Sequence, residues 1–205
     1  MPTGILPRDS RYLSQPRTFT TKGGMRKMKI ILIGIQGSGK STQGNLLSQK
    51  LNIPYLSTGH IFREMAKEKT PMGRYIKETI NAGVLIPDEK TLPIVTEYLS
   101  RPEYKNGYIL DGFPRTVIQA EEFVNGINYV VYLNVSDREA LWRLSYREDE
   151  REDETLLALR KRIEMFHEFT RPVLEYYREK GILVEINGEK EIQEIHEEIL
   201  RNIQK

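Results

Sequence analysis

The chain has 205 residues, no cysteine and a formal net charge of +2, and 39% of its residues are hydrophobic. This length and composition suit one globular domain, while the near-neutral charge argues against a nucleic-acid or membrane partner. Because the chain has no cysteine, it can form neither a disulfide nor a thiolate zinc site. No apolar run reaches about 18 residues, the length that a membrane-spanning helix needs. We expect a cytoplasmic monomer.

Residues 1–28 differ from the rest of the chain. Proline and glycine interrupt any periodicity, and the charges are basic apart from Asp9. We expect a flexible N-terminal extension, followed by the folded domain at 29–205. A targeting presequence is the alternative, because such segments are rich in arginine and poor in acids, but no amphipathic stripe supports it.

Apolar runs and helical patterns alternate along the remaining chain. The predicted strands are 29–33, 53–56, 108–110, 129–135 and 182–186. The predicted helices are 42–51, 57–69, 72–82, 89–101, 116–124 and 138–146, a long one from Thr155 that Pro172 bends or divides, and 192–203. This alternation predicts an α/β fold in three layers, with a mostly parallel five-stranded sheet flanked by helices.

The segment Gly34-Ile35-Gln36-Gly37-Ser38-Gly39-Lys40-Ser41-Thr42 stands between the first strand and the first helix. Its glycines let backbone N–H groups point at phosphate oxygens, and the helix N-terminus adds its positive dipole end. Lys40 brings a charge and Ser41 a hydroxyl for Mg²⁺. The segment therefore predicts a phosphate-binding P-loop; the alternative is a glycine-rich turn that fits the pattern by chance.

Three further motifs accompany the P-loop. The first is Leu56-Ser57-Thr58-Gly59 with Arg63, and the second is Gly83 with Pro87-Asp88. The third is Asp111-Gly112-Phe113-Pro114-Arg115 with Gln119. Arginines follow at positions 143, 147, 151 and 162. In this order they resemble the nucleoside monophosphate kinases, and most closely the adenylate kinases with a short lid. The resemblance covers about residues 28 to 190 and implies a P-loop NTPase-type fold with a helical acceptor-binding insertion at about 58–87 and a lid at about 147–153.

The resemblance implies reversible phosphoryl transfer from Mg·ATP to AMP, giving two ADP. Arginine forks suit the charge on a moving phosphoryl group, and no general base is required. The implied catalytic residues are Lys40, Arg115, Arg147, Arg151 and Arg162. The implied ATP-binding residues are Gly37, Ser38, Gly39, Lys40, Ser41, Thr42 and Arg143. The implied AMP-binding residues are Thr58, Arg63, Ile86, Gly112, Arg115 and Gln119. Ser41 and, through water, Asp111 would hold Mg²⁺; no structural zinc is expected.

Two positions bear on the acceptor base. Adenylate kinases carry Thr and Gln where this chain has Thr58 and Gln119, whereas the similar UMP/CMP kinases carry Ala and Asn. A glutamine amide presents a donor and an acceptor together, which matches the edge of adenine. The alternative for Gln119 is an ordinary exposed helix residue. UMP/CMP kinase activity and a nucleotide-binding module without turnover remain the alternative functions.

The chain also departs from the family pattern. Gln36 stands where proline is usual and is expected to loosen the loop, and Ser41 replaces a glycine. His60 replaces an aspartate and is either a surface residue at a helix N-terminus or a phosphate contact. Arg147 and Arg151 lie among acidic residues, so surface ion pairs are the alternative for both.

Overall fold

A computed structural model describes residues 28–146 and 155–204. Its sheet has the strand order β2-β3-β1-β4-β5, and every strand pair is parallel. The predicted five-stranded α/β sheet is therefore confirmed, and it is parallel throughout. The strands are β1 Met28–Ile33, β2 Tyr55–Ser57, β3 Gly107–Asp111, β4 Tyr129–Asn134 and β5 Leu183–Asn187.

Side chains of β1 alternate between two hydrophobic cores, one on each face of the sheet. Ile31 and Ile33 belong to one core, whereas Ile30 and Leu32 belong to the other. All four are at most 3% exposed, which explains why the strand is a continuous apolar run. Helices cover both faces and so form the outer layers. They are α1 Lys40–Leu51, α2 Thr58–Ala66, α3 Pro71–Asn81, α4 Asp88–Leu99, α5 Val117–Glu122, α6 Asp137–Ser145, α7 Leu156–Met165, α8 Arg171–Glu179 and α9 Ile192–Ile203.

Two details of the helices differ from the sequence-based predictions. Ser136, not Asp137, caps α6, and its Oγ accepts a hydrogen bond from the Glu139 N–H at 3.3 Å. Asp137 is already helical, and its carboxylate contacts His167 Nε2 at 2.9 Å. In α9 the predicted apolar stripe is buried except for Ile192, which is 56% exposed because it begins the helix at the cavity edge.

The predicted long helix after Thr155 is divided, but before the proline. A π-helical turn, Phe166–Thr170, separates α7 from α8, and Pro172 is the second residue of α8. Proline lacks the N–H that would continue the α-helical ladder, which accounts for an irregular turn at this point. The Thr170 hydroxyl donates to the Arg115 carbonyl at 2.9 Å, so the turn supports the loop after β3.

Parallel strands bring the loops of the candidate site to one edge of the sheet. Asp111 ends β3 and is paired in register with Leu32 of β1 and Ser57 of β2. The P-loop follows β1 directly, and α2 follows β2. In such sheets ligands bind beyond the carboxyl ends of the strands.

Residues 1–27 of the predicted extension and the predicted lid at 147–153 lie outside the described residues. Met28, which was assigned to the extension, instead begins β1 and pairs with Gly107. Within 28–146 and 155–204, no helix is long and apolar enough to cross a membrane.

Candidate active site

The P-loop wraps the N-terminus of α1. Gly37 and Gly39 have φ values of 88° and 89°, which L side chains rarely adopt, so glycine is required at both turns. Gly39 is the N-cap of α1, no side chain among the described residues caps this helix, and its first turn contains no acidic residue. The N–H groups and positive dipole end of the first turn of α1 therefore favour an anion.

Lys40 folds back over this loop. Its Nζ donates to the carbonyl oxygens of Gly34 at 2.6 Å and Ile35 at 2.7 Å, and lies 3.4 Å from Ser38 Oγ. The backbone thus holds the ammonium charge beside the helix N-terminus. Ser38 is buried, whereas Ser41 and Thr42 are exposed on the first turn of α1.

The carboxylate of Asp111 faces the P-loop from the end of β3. Tyr55 Oη donates to its Oδ2 at 2.8 Å, while Oδ1 is buried and has no hydrogen-bond partner in the described part of the chain. Burial, followed by the neighbouring carboxylate of Asp111, raises the pKa of Tyr55, so the phenol stays protonated and donates. The Thr58 hydroxyl donates to the Asp111 carbonyl at 3.1 Å.

Three arginines gather beside this carboxylate. The Arg115 Nε–H donates to the Gly112 carbonyl at 2.7 Å. Burial lowers the pKa of Arg115, nearby Arg162 and Arg63 lower it further, and Asp111 acts in the opposite direction. Because guanidinium groups keep their protons in proteins, this corner carries an excess of positive charge that favours a phosphate.

Gln36 connects the P-loop to this arginine group. Its Oε1 accepts a hydrogen bond from Arg162 Nη1 at 3.0 Å, and Arg162 Nη2 donates to the Ile80 carbonyl at 2.8 Å. Gln36 was expected to loosen the loop because it replaces proline. The side chain instead links the loop to α7 and, through Arg162, to α3.

Gln119 lies in a network between α4 and α5. Its Nε2 donates to Asp88 Oδ1 at 2.7 Å, and its Oε1 accepts from the Arg115 N–H at 2.7 Å. Asp88 Oδ2 also accepts from the Thr116 hydroxyl at 2.9 Å. Gln119 is 2% exposed, so the alternative of an ordinary exposed helix residue is wrong.

Arg143 lies on the other side of the P-loop. Its Nε donates to Glu139 at 2.7 Å, and its Nη1 donates to the Gly188 carbonyl at 2.9 Å. These bonds hold the guanidinium plane between α6 and the loop after β5.

A single cavity of about 2010 Å³ joins these groups. Ligand pockets typically measure about 300–1,000 Å³, so this volume suits two small ligands side by side. Its lining includes Gly37, Ser38, Gly39, Lys40, Ser41, Thr42, Arg63, Ile86, Asp111, Gly112, Arg115, Gln119, Arg143 and Arg162.

A comparison of the sequence with protein-family models identifies the family of this chain. The family model described as adenylate kinase matches residues 32–182. This chain belongs to the adenylate kinase family. Its fold is the α/β P-loop type, and the protein is a phosphotransferase with nucleotide substrates.

Individual members of the adenylate kinase family agree with this assignment. The chain is 36% identical to an adenylate kinase of Caldicellulosiruptor bescii over 210 residues, covering 85% of this chain and 98% of the relative. It is 37% identical to one of Clostridium botulinum over 204 residues, covering 82% and 94%. It is 34% identical to one of Methanocella arvoryzae over 214 residues, covering 87% and 99%.

Not every predicted site residue lines the cavity. Thr58 is 1% exposed and its hydroxyl faces Asp111, so it supports the cavity wall without lining it. His60 is half-buried and lines the cavity, so it is not a plain surface residue. Arg147 and Arg151 lie outside the described residues.

The sequence motifs did not indicate Tyr55, nor the partners of Gln36 and Gln119. A tyrosine in a short strand has no distinguishing pattern of its own. Its position two residues before Ser57, which pairs with Asp111, is the one signal that could have located it.

Proposed function

We propose that this member of the adenylate kinase family transfers the terminal phosphoryl group of Mg·ATP to AMP, reversibly, giving two ADP. The observation that carries the proposal is one cavity that contains a P-loop, a three-arginine corner and a buried glutamine amide. Phosphoryl transfer needs positioning and charge neutralisation more than covalent chemistry, and these residues supply both.

The P-loop side suits the donor. Lys40, held at the loop by the Gly34 and Ile35 carbonyls, would neutralise the outer phosphates, with α1 adding its N–H groups. Arg143 would lie against the donor base, beside the Gly188 loop. The remaining proposed ATP contacts are Gly37, Ser38, Gly39, Ser41 and Thr42.

The opposite side suits the acceptor. Arg63 and Arg115 would bind the phosphate of AMP, because planar guanidinium forks match phosphate oxygens. Gln119 would read the adenine edge with the donor and acceptor capacity left after its two internal bonds. Ile86 and Gly112 would complete this wall, with Thr58 behind it.

Magnesium is the cofactor that the family implies, and the residues present fit it. Asp111 offers a buried carboxylate oxygen without a partner in the described residues, and Ser41 an exposed hydroxyl. Mg²⁺ prefers oxygen ligands and retains waters, so it needs few protein groups. When bound, the ion would neutralise charge on the donor phosphates.

Arg162 would contact the transferred group together with Arg147 and Arg151, which belong to the proposed lid at 147–153. A cover over the phosphates excludes water and limits wasteful hydrolysis of ATP. We propose that the enzyme acts as a cytoplasmic monomer.

The direct test is ADP or other diphosphate formation from Mg·ATP with AMP, CMP, UMP, GMP and dAMP as separate acceptors. Rapid turnover with AMP and little with CMP or UMP is the expected result. Preference for CMP or UMP would contradict the role of Gln119 while keeping the phosphoryl-transfer mechanism. ATP binding without turnover on any acceptor would contradict the proposed function itself.

A further inference from the structure

The hydrogen bonding of Asp111 is asymmetric. Oδ2 accepts the Tyr55 hydroxyl at 2.8 Å, and Oδ1 is buried with no partner among the described residues. A buried carboxylate oxygen without a partner is costly, so a native site that keeps one calls for an explanation.

Sheet geometry places Tyr55 where it can hold this carboxylate. Tyr55 pairs with Ile109 in the parallel register of β2 and β3, and Asp111 lies two residues beyond Ile109. Residues two apart in a strand point to the same face, so the phenol and the carboxylate are diagonal neighbours on one face.

The ring of Tyr55 also packs directly on α1. A Cβ at Gly44 would lie 2.4 Å from Cε2 of the ring, so the helix leaves room for the ring only because this position is glycine. Gly44 is three residues beyond Ser41, which places both on neighbouring turns of one helix face. Tyr55 therefore joins the first turns of α1 to the carboxylate at the end of β3.

We propose that Tyr55 is a positioning residue that fixes the Asp111 carboxylate for the magnesium ion of the bound nucleotide. The donated hydrogen bond occupies Oδ2 and leaves Oδ1 to accept a hydrogen from a water on the ion. This inference rests on the proposed function, since it assumes a Mg·ATP complex at the P-loop. Partners of this kind hold a metal-site carboxylate in one orientation and tune metal affinity.

Tyr55→Phe tests the proposal, with Tyr108→Phe as the matched control. Tyr108 is also a buried tyrosine, in β3, but its hydroxyl has no hydrogen-bond partner in the described residues. ATP affinity is measured by calorimetry in excess Mg²⁺ and again in EDTA. The ratio of the dissociation constant in EDTA to the dissociation constant in Mg²⁺ reports how much the metal contributes to ATP binding, independently of activity.

We expect Tyr55→Phe to reduce this ratio about tenfold, the low end for loss of an outer-shell partner, with ATP affinity in EDTA unchanged. Tyr108→Phe should match the wild type in both conditions. Gly44→Ala, which keeps the hydroxyl but displaces the ring, should also lower the ratio.

Equal ratios in Tyr55→Phe, Tyr108→Phe and the wild type would overturn the positioning role. An equal loss of affinity with and without Mg²⁺ would also overturn it, since the hydroxyl would then support the fold or the nucleotide. If Tyr55→Phe does not fold, the Gly44→Ala ratio decides the question. Failure of the wild type to bind ATP would instead refute the proposed function, so the two failures are distinguishable.

Discussion

The proposed donor and acceptor sides of the cavity are built differently. On the donor side, the charge of Lys40 is fixed by carbonyl oxygens five and six residues away in the same loop. On the acceptor side, Gln119 is fixed by Asp88, 31 residues away, and Thr58 by the Asp111 carbonyl, 53 residues away. A site made by local backbone is recognisable as a motif, whereas one made by distant side chains depends on the assembled fold.

The difference extends to what a substitution should do. On the proposed donor side, the Lys40 side chain presents its charge from the loop and is not part of the core, so its removal should mainly reduce turnover. Acceptor-side residues hold one another in buried networks, so their loss should reduce stability and substrate selectivity together. The following substitutions test that division.

Lys40→Met should have the largest effect. Removing a charged donor aimed at the transferred group typically lowers turnover about 10²- to 10³-fold. Steady-state ADP formation measures the loss. Thermal unfolding should change little, because the hydrogen bonds described for the Lys40 ammonium are to the P-loop and Lys40 is not part of the hydrophobic core. Lys50→Met, an exposed lysine in the last turn of the same helix, is the control and should keep normal turnover.

Gly37→Ala and Gly39→Ala separate backbone strain from a steric clash. Both glycines have φ near +90°, which costs a residue with a Cβ about 1–2 kcal/mol. At Gly37 the new Cβ would also lie 2.5 Å from the Ala140 carbonyl oxygen, whereas at Gly39 no atom of the described residues lies within 4 Å. Chemical denaturation should therefore show that Gly37→Ala is less stable than Gly39→Ala by about 1–3 kcal/mol. Equal stabilities would show that the clash is relieved without cost.

Asp88→Ala tests the acceptor network. It removes the acceptor for Gln119 Nε2 and for the Thr116 hydroxyl, so we expect a stability loss of about 1–3 kcal/mol. The freed amide should also weaken discrimination of AMP from CMP, measured as a ratio of kcat/KM values. Glu89→Ala is the control, because it removes the same charge from the same helix terminus on an exposed side chain. If both variants behave alike, the helix dipole and not the network is responsible.

The smallest effect is expected at His196 of α9. Burial, and then the nearby charge of Lys50, lower the pKa of His196. The unfolded chain, with a histidine pKa of about 6.5, therefore binds the proton more readily than the folded one. The contribution of neutral His196 to stability is therefore fully present at pH values above about 6.5, the pKa in the unfolded chain. It is lost as the pH falls toward the lowered pKa of the folded state. Unfolding by denaturant between pH 7 and 5 should show a flatter dependence in His196→Gln; parallel curves would contradict the assignment.

Prediction from sequence succeeded where the determinants are local. The apolar runs located the five strands, and the exact bounds of α9 follow from its helical period. It was less accurate at helix ends, since Ser136 and Asp137 are both good capping residues and only the observed geometry separates them. Ile192 is exposed although its spacing fits the apolar stripe, because it begins α9 at the edge of the cavity, a position that periodicity does not show.

The sequence by itself determined the P-loop, the alternation of strands and helices, and the family, since each depends on residues close together in the chain. Only the tertiary structure decided that Gln36 bonds Arg162, that Asp88 holds Gln119 and that Tyr55 holds one oxygen of Asp111. The physical reason is that hydrogen bonds form between atoms within about 3 Å of each other in space. Residues 126, 31 and 56 positions apart in the chain reach that distance only when the strands and helices that carry them pack together in the folded domain.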